Sequence, residues 1–281
     1  MELWLTEQHT DGYSVSWKIK ETLHVEKTRY QHLAIVDTVD FGRALVLDGI
    51  LQTTEKDEFV YHEMITHVPM FSHPNPRRVL VIGGGDGGTI KEVLKHPEVE
   101  KAVLCEIDER VIENSRRFLP TISSALDDPR VEIRVEDGIE YIKKFEGEFD
   151  VVIVDSSDPV GPATVLFGEE FYRGIFKALT EDGIFVAQTE SPLFNKEFLL
   201  KVYRTVAAIF PIARIYLTAI ATYIGGYWGF TLGSKKYDPA TITPSPERWK
   251  KIKTDFYNPE MHRAAFALPE FFKRALQEAQ K

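Results

Sequence analysis

Residues 77–94 have the sequence RRVLVIGGGDGGTIKEVL, an apolar strand followed by a glycine loop and the start of a helix. Gly83, Gly85 and Gly88 fill the three positions of a G-x-G-x-x-G pattern. That pattern carries functional weight where it joins a strand to a helix, because a ligand then meets the backbone of the loop. The stretch therefore predicts a nucleoside-binding α/β domain.

The same alternation of strand and helix continues along the chain. Strand-like runs are each followed by a helical one: VLVIG by TIKEVLKH, AVLCEID by ERVIENSRRF, VEIRVEDG by a short helix, FDVVIVD by GEEFYRGIFKAL, and GIFVAQT by NKEFLLKVYRTVAAIF. Such alternation is typical of a mostly parallel sheet with helices on both faces. After Pro211, the runs IARIYLTAIATY and YWGFTLGS are separated by Ile224-Gly225-Gly226 and predict an antiparallel hairpin that completes the sheet.

The segment before the glycine loop has a different pattern. Residues 13–54 carry β-type runs, with turn signals such as Asp48-Gly49, and a helix is predicted from about residue 56 to residue 71. We therefore predict two domains. A small antiparallel β lobe covers residues 1–55, and the nucleoside-binding catalytic domain covers residues 56–281.

Charge limits the choice of partner. The 281 residues include 34 Lys and Arg and 43 Asp and Glu, for a net charge of -9. No cluster of Lys and Arg interrupts the acidic excess, which argues against a nucleic-acid partner. An acidic surface instead attracts small cations, although many ordinary proteins carry a similar charge.

Cysteine content and hydropathy indicate the compartment. Cys105 is the single cysteine, so no disulfide can form within the chain, and its apolar surroundings predict a buried strand residue. No stretch has the roughly 18 apolar residues of a membrane span, and the first residues lack the pattern of a signal peptide. We expect a cytoplasmic protein with no membrane partner.

Acidic residues follow several of the predicted strands. In VVIVDSSDPVGPA, residues 151–163, Asp155 and Asp158 follow the apolar run VVIV. Asp86 lies inside the glycine loop, and Glu106 ends the next strand about 20 residues on. Acids at the carboxyl ends of parallel strands face the ligand crevice. Glu106 is placed to accept ribose hydroxyls, as in enzymes that use NAD or S-adenosylmethionine. Asp86 would oppose a pyrophosphate and attract a sulfonium or an ammonium, which disfavours an NAD-dependent dehydrogenase.

Some of these residues have structural alternatives. Asp137-Gly138 is either a plain turn or a cap for an adenine amino group. Asp158-Pro159 is also a common turn starter, and Pro162 either shapes the loop after the acids or is an ordinary turn proline. Asp155 follows four Val or Ile residues, so its carboxylate needs a ligand or a local partner.

Taken together, these motifs resemble the polyamine aminopropyltransferases, the spermidine synthase family. The resemblance rests on GGGDGG with Glu106, Asp137-Gly138, DSSDPVGPA and YHEM at residues 61–64, and it runs from LWLTE to AAFALPEFF. It implies an α/β fold with a Rossmann-like, methyltransferase-type sheet, a small N-terminal antiparallel β lobe, and a homodimer or homotetramer. The implied reaction moves the aminopropyl group of decarboxylated S-adenosylmethionine to a diamine such as putrescine, cadaverine or agmatine. The products are spermidine or an analogue and methylthioadenosine.

The resemblance also implies site residues. The donor co-substrate would be bound by Gln31, His62, Gly83, Gly85, Asp86, Glu106, Asp137, Gly138 and Pro162. The acceptor amine would lie between Tyr61, Asp155, Asp158 and Tyr223. An alkylammonium with a pKa of about 10 must lose a proton before it attacks, and we assign Asp155 as the general base, helped by Tyr61. No prosthetic group is implied. No metal is expected either, since His62 and His67 are five residues apart and lie on different faces of the predicted helix.

The chain departs from the family pattern beside Tyr223, in the part of the site expected to bind the acceptor amine. Many putrescine-using members have TYPSG where this chain has Thr222-Tyr223-Ile224-Gly225-Gly226, so a rigid proline and a serine are replaced. This difference predicts relaxed acceptor specificity. Two alternative functions stay open at the level of sequence: an S-adenosylmethionine-dependent amine methyltransferase and a non-catalytic polyamine-binding protein.

Overall fold

The N-terminal part of the chain forms an antiparallel sheet. The computed structural model describes residues 2–156 and 168–279. The first sheet contains, in sequential order, β1 (Leu3–Thr10), β2 (Tyr13–Lys27), β3 (His32–Thr38), β4 (Gly42–Leu47) and β5 (Ile50–Thr54). The sequence patterns did not indicate β1, which pairs with β2 from Leu3 opposite Ile19. The proposed domain boundary between residues 55 and 56 stays a prediction.

A second, seven-stranded sheet forms the centre of the molecule. Its strands are β6 (Arg78–Gly83), β7 (Lys101–Glu106), β8 (Val131–Val135), β9 (Phe149–Asp155), β10 (Leu179–Gln188), β11 (Ile212–Ala219) and β12 (Tyr227–Ser234). The order is β11-β12-β10-β9-β6-β7-β8, with parallel pairing from β10 to β8 and antiparallel pairing at β12 and β11. The predicted mostly parallel α/β sheet is confirmed.

Helices cover both faces of this sheet. They are α1 (Glu58–Ser72), α2 (Gly88–Leu94), α3 (Glu109–Phe118), α4 (Gly138–Ile142), α5 (Glu169–Ala178), α6 (Lys196–Ile209), α7 (Pro246–Trp249), α8 (Pro259–Ala265) and α9 (Glu270–Ala279). Across residues 2–156 and 168–279, we find no helix with the length and apolar character needed to span a bilayer.

The central strands are apolar on both faces, as a doubly covered parallel sheet requires. In β9, Val151 and Ile153 pack into the core that contains α1 and α2. Val152 and Val154 point the other way, into the core that contains α5 and α6. This alternation leaves Asp155 as the first polar residue after the apolar run, at the edge where the parallel strands end.

The C-terminal hairpin differs from the prediction in its connection. β11 and β12 pair antiparallel from Ile212 opposite Ser234, as expected. The expected three-residue connection was wrong, because β11 ends at Ala219 and the connection covers residues 220–226. Thr222 explains this difference, since its backbone N–H and hydroxyl both donate to the buried carboxylate of Asp57, at 3.0 and 2.7 Å. That attachment holds the segment out of the sheet and against the ligand crevice.

Candidate active site

A cavity of about 380 Å3 opens at the carboxyl ends of β6, β7 and β9. Every predicted site residue that the structure describes lines it: Gln31, Tyr61, His62, Gly83, Gly85, Asp86, Glu106, Asp137, Gly138, Asp155 and Tyr223. The two remaining predicted residues, Asp158 and Pro162, lie outside the described residues. The sheet topology has thus brought together side chains from both predicted domains.

The glycine loop allows other groups to approach its backbone closely. Gly83 has φ +78°, and a Cβ there would lie 2.2 Å from the carbonyl oxygen of Asp155. A Cβ on Gly84 would lie 2.6 Å from Asp155 Oδ2, and one on Gly88 would lie 2.2 Å from the His62 ring. Real Cβ contacts are essentially never this short, so all three positions need glycine for close packing, and Gly83 and Gly84 need it also for their positive φ.

The nucleoside end of the cavity is built on Glu106. Its Oε2 accepts the Gly85 N–H at 3.1 Å, and its Oε1 accepts the Asp108 N–H at 2.9 Å. Burial raises the pKa of Glu106 to about 7, although these two backbone donors act in the opposite direction. The carboxylate therefore already anchors the loop and still faces the cavity, where it can accept further hydroxyl donors.

Two neighbours of Glu106 also have structural roles. Asp137 is the N-cap of α4, with Oδ1 accepting the Ile139 N–H at 2.8 Å, so it begins a helix and not a plain turn; it also lines the cavity, and its contact with adenine stays a prediction. Gln31 donates through Nε2 to Asp108 Oδ2 at 3.0 Å, which connects the N-terminal sheet to the loop after β7.

Alternating charges surround His62. Its Nδ1 lies 2.6 Å from Glu58 Oε2, its Nε2 lies 3.5 Å from Asp86 Oδ2, and Lys91 forms an ion pair with the other oxygen of Glu58. Burial alone would lower the pKa of His62, but Asp86 and Glu58 together raise it well above its usual value. Against the opposing effect of burial, His62 and Lys91 lower the pKa of Glu58 to about 2. His62 is therefore an imidazolium held between two carboxylates.

Asp155 receives a hydroxyl donor on each carboxylate oxygen. Tyr61 donates to Oδ1 at 2.6 Å, and Thr89 donates to Oδ2 at 2.6 Å. Burial, and next the charge of Asp86, raise the pKa of Asp155 above its ordinary value. Burial and Asp155 likewise raise the pKa of Tyr61 well above its usual range, so Tyr61 acts as a hydrogen-bond donor and not as a base.

Aromatic rings form the wall beside Asp155. Tyr223 donates its hydroxyl to the backbone carbonyl of Gln52 at 2.6 Å. Its ring lies edge-on to Trp228, with centroids 4.7 Å apart, and tilted to Tyr61 at 5.6 Å. An acceptor chain in this part of the cavity would meet aromatic faces on one side and carboxylates on the other. This combination suits an alkylammonium.

The chemistry of the described residues is that of a cation site. Within the described ranges, no three or more His, Cys, Asp or Glu residues are grouped as metal ligands. Cys105 is buried in β7, as predicted, and burial raises the pKa of its thiol to about 12. Asp86 and Asp155, in contrast, present two carboxylates to one cavity, of which Asp86 is buried and Asp155 is half-buried. They can bind two positive charges, and Asp155 can accept a proton.

Two polar residues that contact this site were not predicted from the sequence. Glu58 lies four residues before His62 on α1, a spacing that places two side chains on one helix face and could have indicated the pair. Thr89 follows the glycine loop directly, and no local pattern indicates that its hydroxyl reaches Asp155, 66 residues further along the chain.

Comparison with known sequences and structures identifies relatives over the whole chain. The sequence model of the spermine/spermidine synthase domain matches residues 58–243, and that of the spermidine synthase tetramerisation domain matches residues 3–55. A polyamine aminopropyltransferase of Thermoanaerobacter pseudethanolicus is 58% identical, over 99% of this chain and 100% of the relative. One of Desulforudis audaxviator is 56% identical, over 96% of this chain and 98% of the relative.

Solved structures give the same result. A spermidine synthase in complex with the transition-state analogue AdoDATO superimposes with a TM-score of 0.95 at 47% identity, covering 98% of this chain and 95% of the other. The spermidine synthase of Thermotoga maritima superimposes with a TM-score of 0.94 at 46% identity, covering 98% of this chain and 94% of the other. The fold predicted from the sequence, a Rossmann-like sheet with a small N-terminal β lobe, agrees with these neighbours.

Proposed function

The chain belongs to the spermine/spermidine synthase family and is an aminopropyltransferase, and we propose that it transfers the aminopropyl group of decarboxylated S-adenosylmethionine to a small diamine. The products are methylthioadenosine and spermidine or an analogue. The observation that carries this proposal is the pair of carboxylates, buried Asp86 and half-buried Asp155, that line one cavity beside Tyr61. The names of the relatives favour this function over a methyltransferase or a non-catalytic polyamine binder.

The donor would lie along the carboxyl ends of β6 and β7. Glu106 would accept the ribose hydroxyls, and Asp137 and Gly138 would contact the adenine. Asp86 would face the propyl chain, which ends in an ammonium in the decarboxylated donor and carries an additional carboxylate in S-adenosylmethionine. Repulsion between two carboxylates in a closed site selects against the commoner metabolite. A related spermidine synthase has been solved in complex with the transition-state analogue AdoDATO, which supports, by analogy, a spermidine synthase reaction on this fold.

The transfer step follows from the position of Asp155. A neutral amine nitrogen attacks the methylene carbon bonded to the sulfonium, the new C–N bond forms, and the C–S electron pair moves to sulfur to give a neutral thioether. Asp155 accepts the proton that the amine loses, while Tyr61 donates to the other side of the carboxylate. Burial next to Asp86 favours this role, because it makes Asp155 a stronger base than an exposed aspartate.

We propose putrescine, cadaverine or agmatine as the acceptor, with relaxed specificity among them. Tyr223 and Asp158 would hold the far amine, and Gly225 and Gly226 follow Tyr223 at φ +87° and +75°. Competition between the three amines for one donor tests the specificity. Comparable rates with at least two amines support relaxed specificity, and strict preference for putrescine contradicts it.

We also propose a cytoplasmic homo-oligomer assembled through the N-terminal sheet. The tetramerisation-domain match to residues 3–55 supports the assembly, as do exposed apolar side chains on β1 and β2, with Trp4 at 53% and Val25 at 64% exposure. The single cysteine supports a reducing compartment. Light scattering on the purified chain tests the assembly, and a monomer at micromolar concentration contradicts it.

Asp155→Asn tests the catalytic assignment, because it keeps the shape of the side chain and removes the base. We expect turnover to fall by at least ~100-fold, with methylthioadenosine affinity unchanged within about threefold. Asp150→Asn is the matched control, since Asp150 lies at the other end of β9 and accepts the Arg77 and Arg78 N–H groups at 2.8 and 2.9 Å. Normal turnover by Asp155→Asn would show that another group takes the proton.

A further inference from the structure

Thr89 forms a long-range hydrogen bond from the first turn of α2. Its side chain is fully buried near the start of α2. Threonine hydroxyls in helix interiors commonly bond to a carbonyl of the preceding turn, but Thr89 is the second residue of α2 and has no helical turn before it. Here Oγ1 donates instead to Asp155 Oδ2 at 2.6 Å, across to the end of β9. The bond therefore joins the helix that follows the glycine loop to the proposed general base.

We propose that Thr89 is a positioning residue, which holds the carboxylate of Asp155 in the orientation that accepts the proton of the attacking amine. This inference rests on the proposed function, because it assigns to Thr89 a role in the same transfer step. Thr89 does not line the cavity, so its effect on the reaction would pass through Asp155.

The geometry fixes the carboxylate from two sides. Tyr61 on α1 holds Oδ1, and Thr89 on α2 holds Oδ2, so rotation about the side-chain bonds of Asp155 would break one bond or the other. Gly84 makes the arrangement possible, because a Cβ at that position would lie 2.6 Å from Oδ2. A carboxylate oxygen has two acceptor sites, so each oxygen retains one that can face the cavity.

The same bond adjusts the acidity of Asp155. The titratable groups that face Asp155 are Tyr61 and His62 from α1 and Asp86 from the glycine loop. Burial and Asp86 raise the pKa of Asp155, whereas His62, Thr89 and Tyr61 lower it. Removing the Thr89 hydroxyl therefore leaves the carboxylate with one donor and raises its pKa further. A base with a higher pKa stays protonated up to a higher pH. The rise of activity with pH should therefore move to a higher pH.

The experiment compares Thr89→Val, which has nearly the same shape, with Thr89→Ser, which keeps the hydroxyl. In Thr89→Val we expect the acidic limb of the plot of kcat against pH to move to a pH about one unit higher. At a pH on the acidic side of that limb, kcat should be about tenfold lower than in the wild type. The dissociation constant for methylthioadenosine should change by less than about twofold. Thr89→Ser should restore the wild-type pH profile.

A matched control separates this effect from a loss of packing. Thr231→Val also removes a buried hydroxyl bond, the 3.0 Å contact with Thr189, at a position outside the cavity. It should lower the melting temperature to a similar extent and leave the pH profile in place. If Thr89→Val does not fold, Thr89→Ala removes the same hydroxyl with less crowding and serves the same comparison.

The outcomes distinguish this inference from the proposed function. An unchanged acidic limb in a folded Thr89→Val or Thr89→Ala protein overturns the role of Thr89, and so does an equal shift in Thr89→Ser. In either case, an active wild type with an inactive Asp155→Asn leaves the proposed function intact. Absence of aminopropyl transfer by the wild type overturns both.

Discussion

Replacing Asp86 by Asn removes one charge from the donor end of the cavity with little change in shape. Asp86 is 9% exposed, and its Oδ1 accepts the Gly88 N–H at 2.8 Å, a bond that the Asn carbonyl oxygen can keep. Its Oδ2 lies 3.5 Å from His62 Nε2. Asp86→Asn should therefore affect mainly the electrostatic selection between donors.

The size of the effect follows from two opposed charges. At an effective dielectric constant of about 20, a donor carboxylate about 4 Å from Asp86 is repelled by about 4 kcal/mol. The imidazolium of His62 lies behind Asp86, and at about 7 Å it attracts the same carboxylate by about 2 kcal/mol. The net penalty is about 2 kcal/mol, or roughly 30-fold in affinity. His62 thus weakens the selection, and Asp86 still determines its sign.

Calorimetry measures this selection as the ratio of the dissociation constants for S-adenosylmethionine and its decarboxylated form. Asp86→Asn removes the repulsion of about 4 kcal/mol and leaves the attraction by His62, so we expect the ratio to fall about 1,000-fold. The control is Asp182→Asn, since Asp182 also accepts a hydroxyl bond, from Tyr237 at 3.0 Å, but lies outside the cavity. A ratio within threefold of the wild type in Asp86→Asn would refute the electrostatic account of donor choice.

Two further predictions concern the nucleoside end of the cavity and the acceptor loop, which is the connection between β11 and β12 at residues 220–226. Since burial raises the pKa of Glu106 to about 7 and ribose hydroxyls need the ionised carboxylate, methylthioadenosine affinity should rise roughly tenfold between pH 6 and pH 8. Glu106→Gln should remove that dependence, and a flat wild-type profile in calorimetry would contradict the assignment. A Cβ on Gly225 would lie 2.6 Å from Ser191 Oγ and 2.8 Å from Phe194 Cδ2, so Gly225→Ala should lower the melting temperature and raise the acceptor KM. Gly226→Ala shares the positive φ with open space around it, and an equal effect there would show that packing against Phe194 has no part.

The central sheet could be predicted because its strands carry an unambiguous pattern. A run such as VVIV before Asp155 is apolar on both faces, and the rule that ligands bind at the carboxyl ends of parallel strands then places Asp86, Glu106 and Asp155 at one crevice. The cavity that these three residues line agrees with that reasoning.

What the sequence could not indicate depends on contacts between distant parts of the chain. The shape of the acceptor loop follows from the bond between Asp57 and Thr222, which are 165 residues apart, so local hairpin signals extended β11 too far. α1 is buried around nearly its whole circumference, and a helix of that kind has no polar face that would reveal which of its residues point into the site. The contact of Thr89 with Asp155 likewise joins residues that are distant in the sequence, 66 positions apart.

The nucleoside product identifies the reaction that this protein catalyses. The purified protein is incubated with putrescine, cadaverine or agmatine and either decarboxylated S-adenosylmethionine or S-adenosylmethionine, and the products are separated by mass. We expect methylthioadenosine and an aminopropylated amine from the decarboxylated donor alone. S-adenosylhomocysteine formed from S-adenosylmethionine, or no product from either donor, would contradict the proposed function.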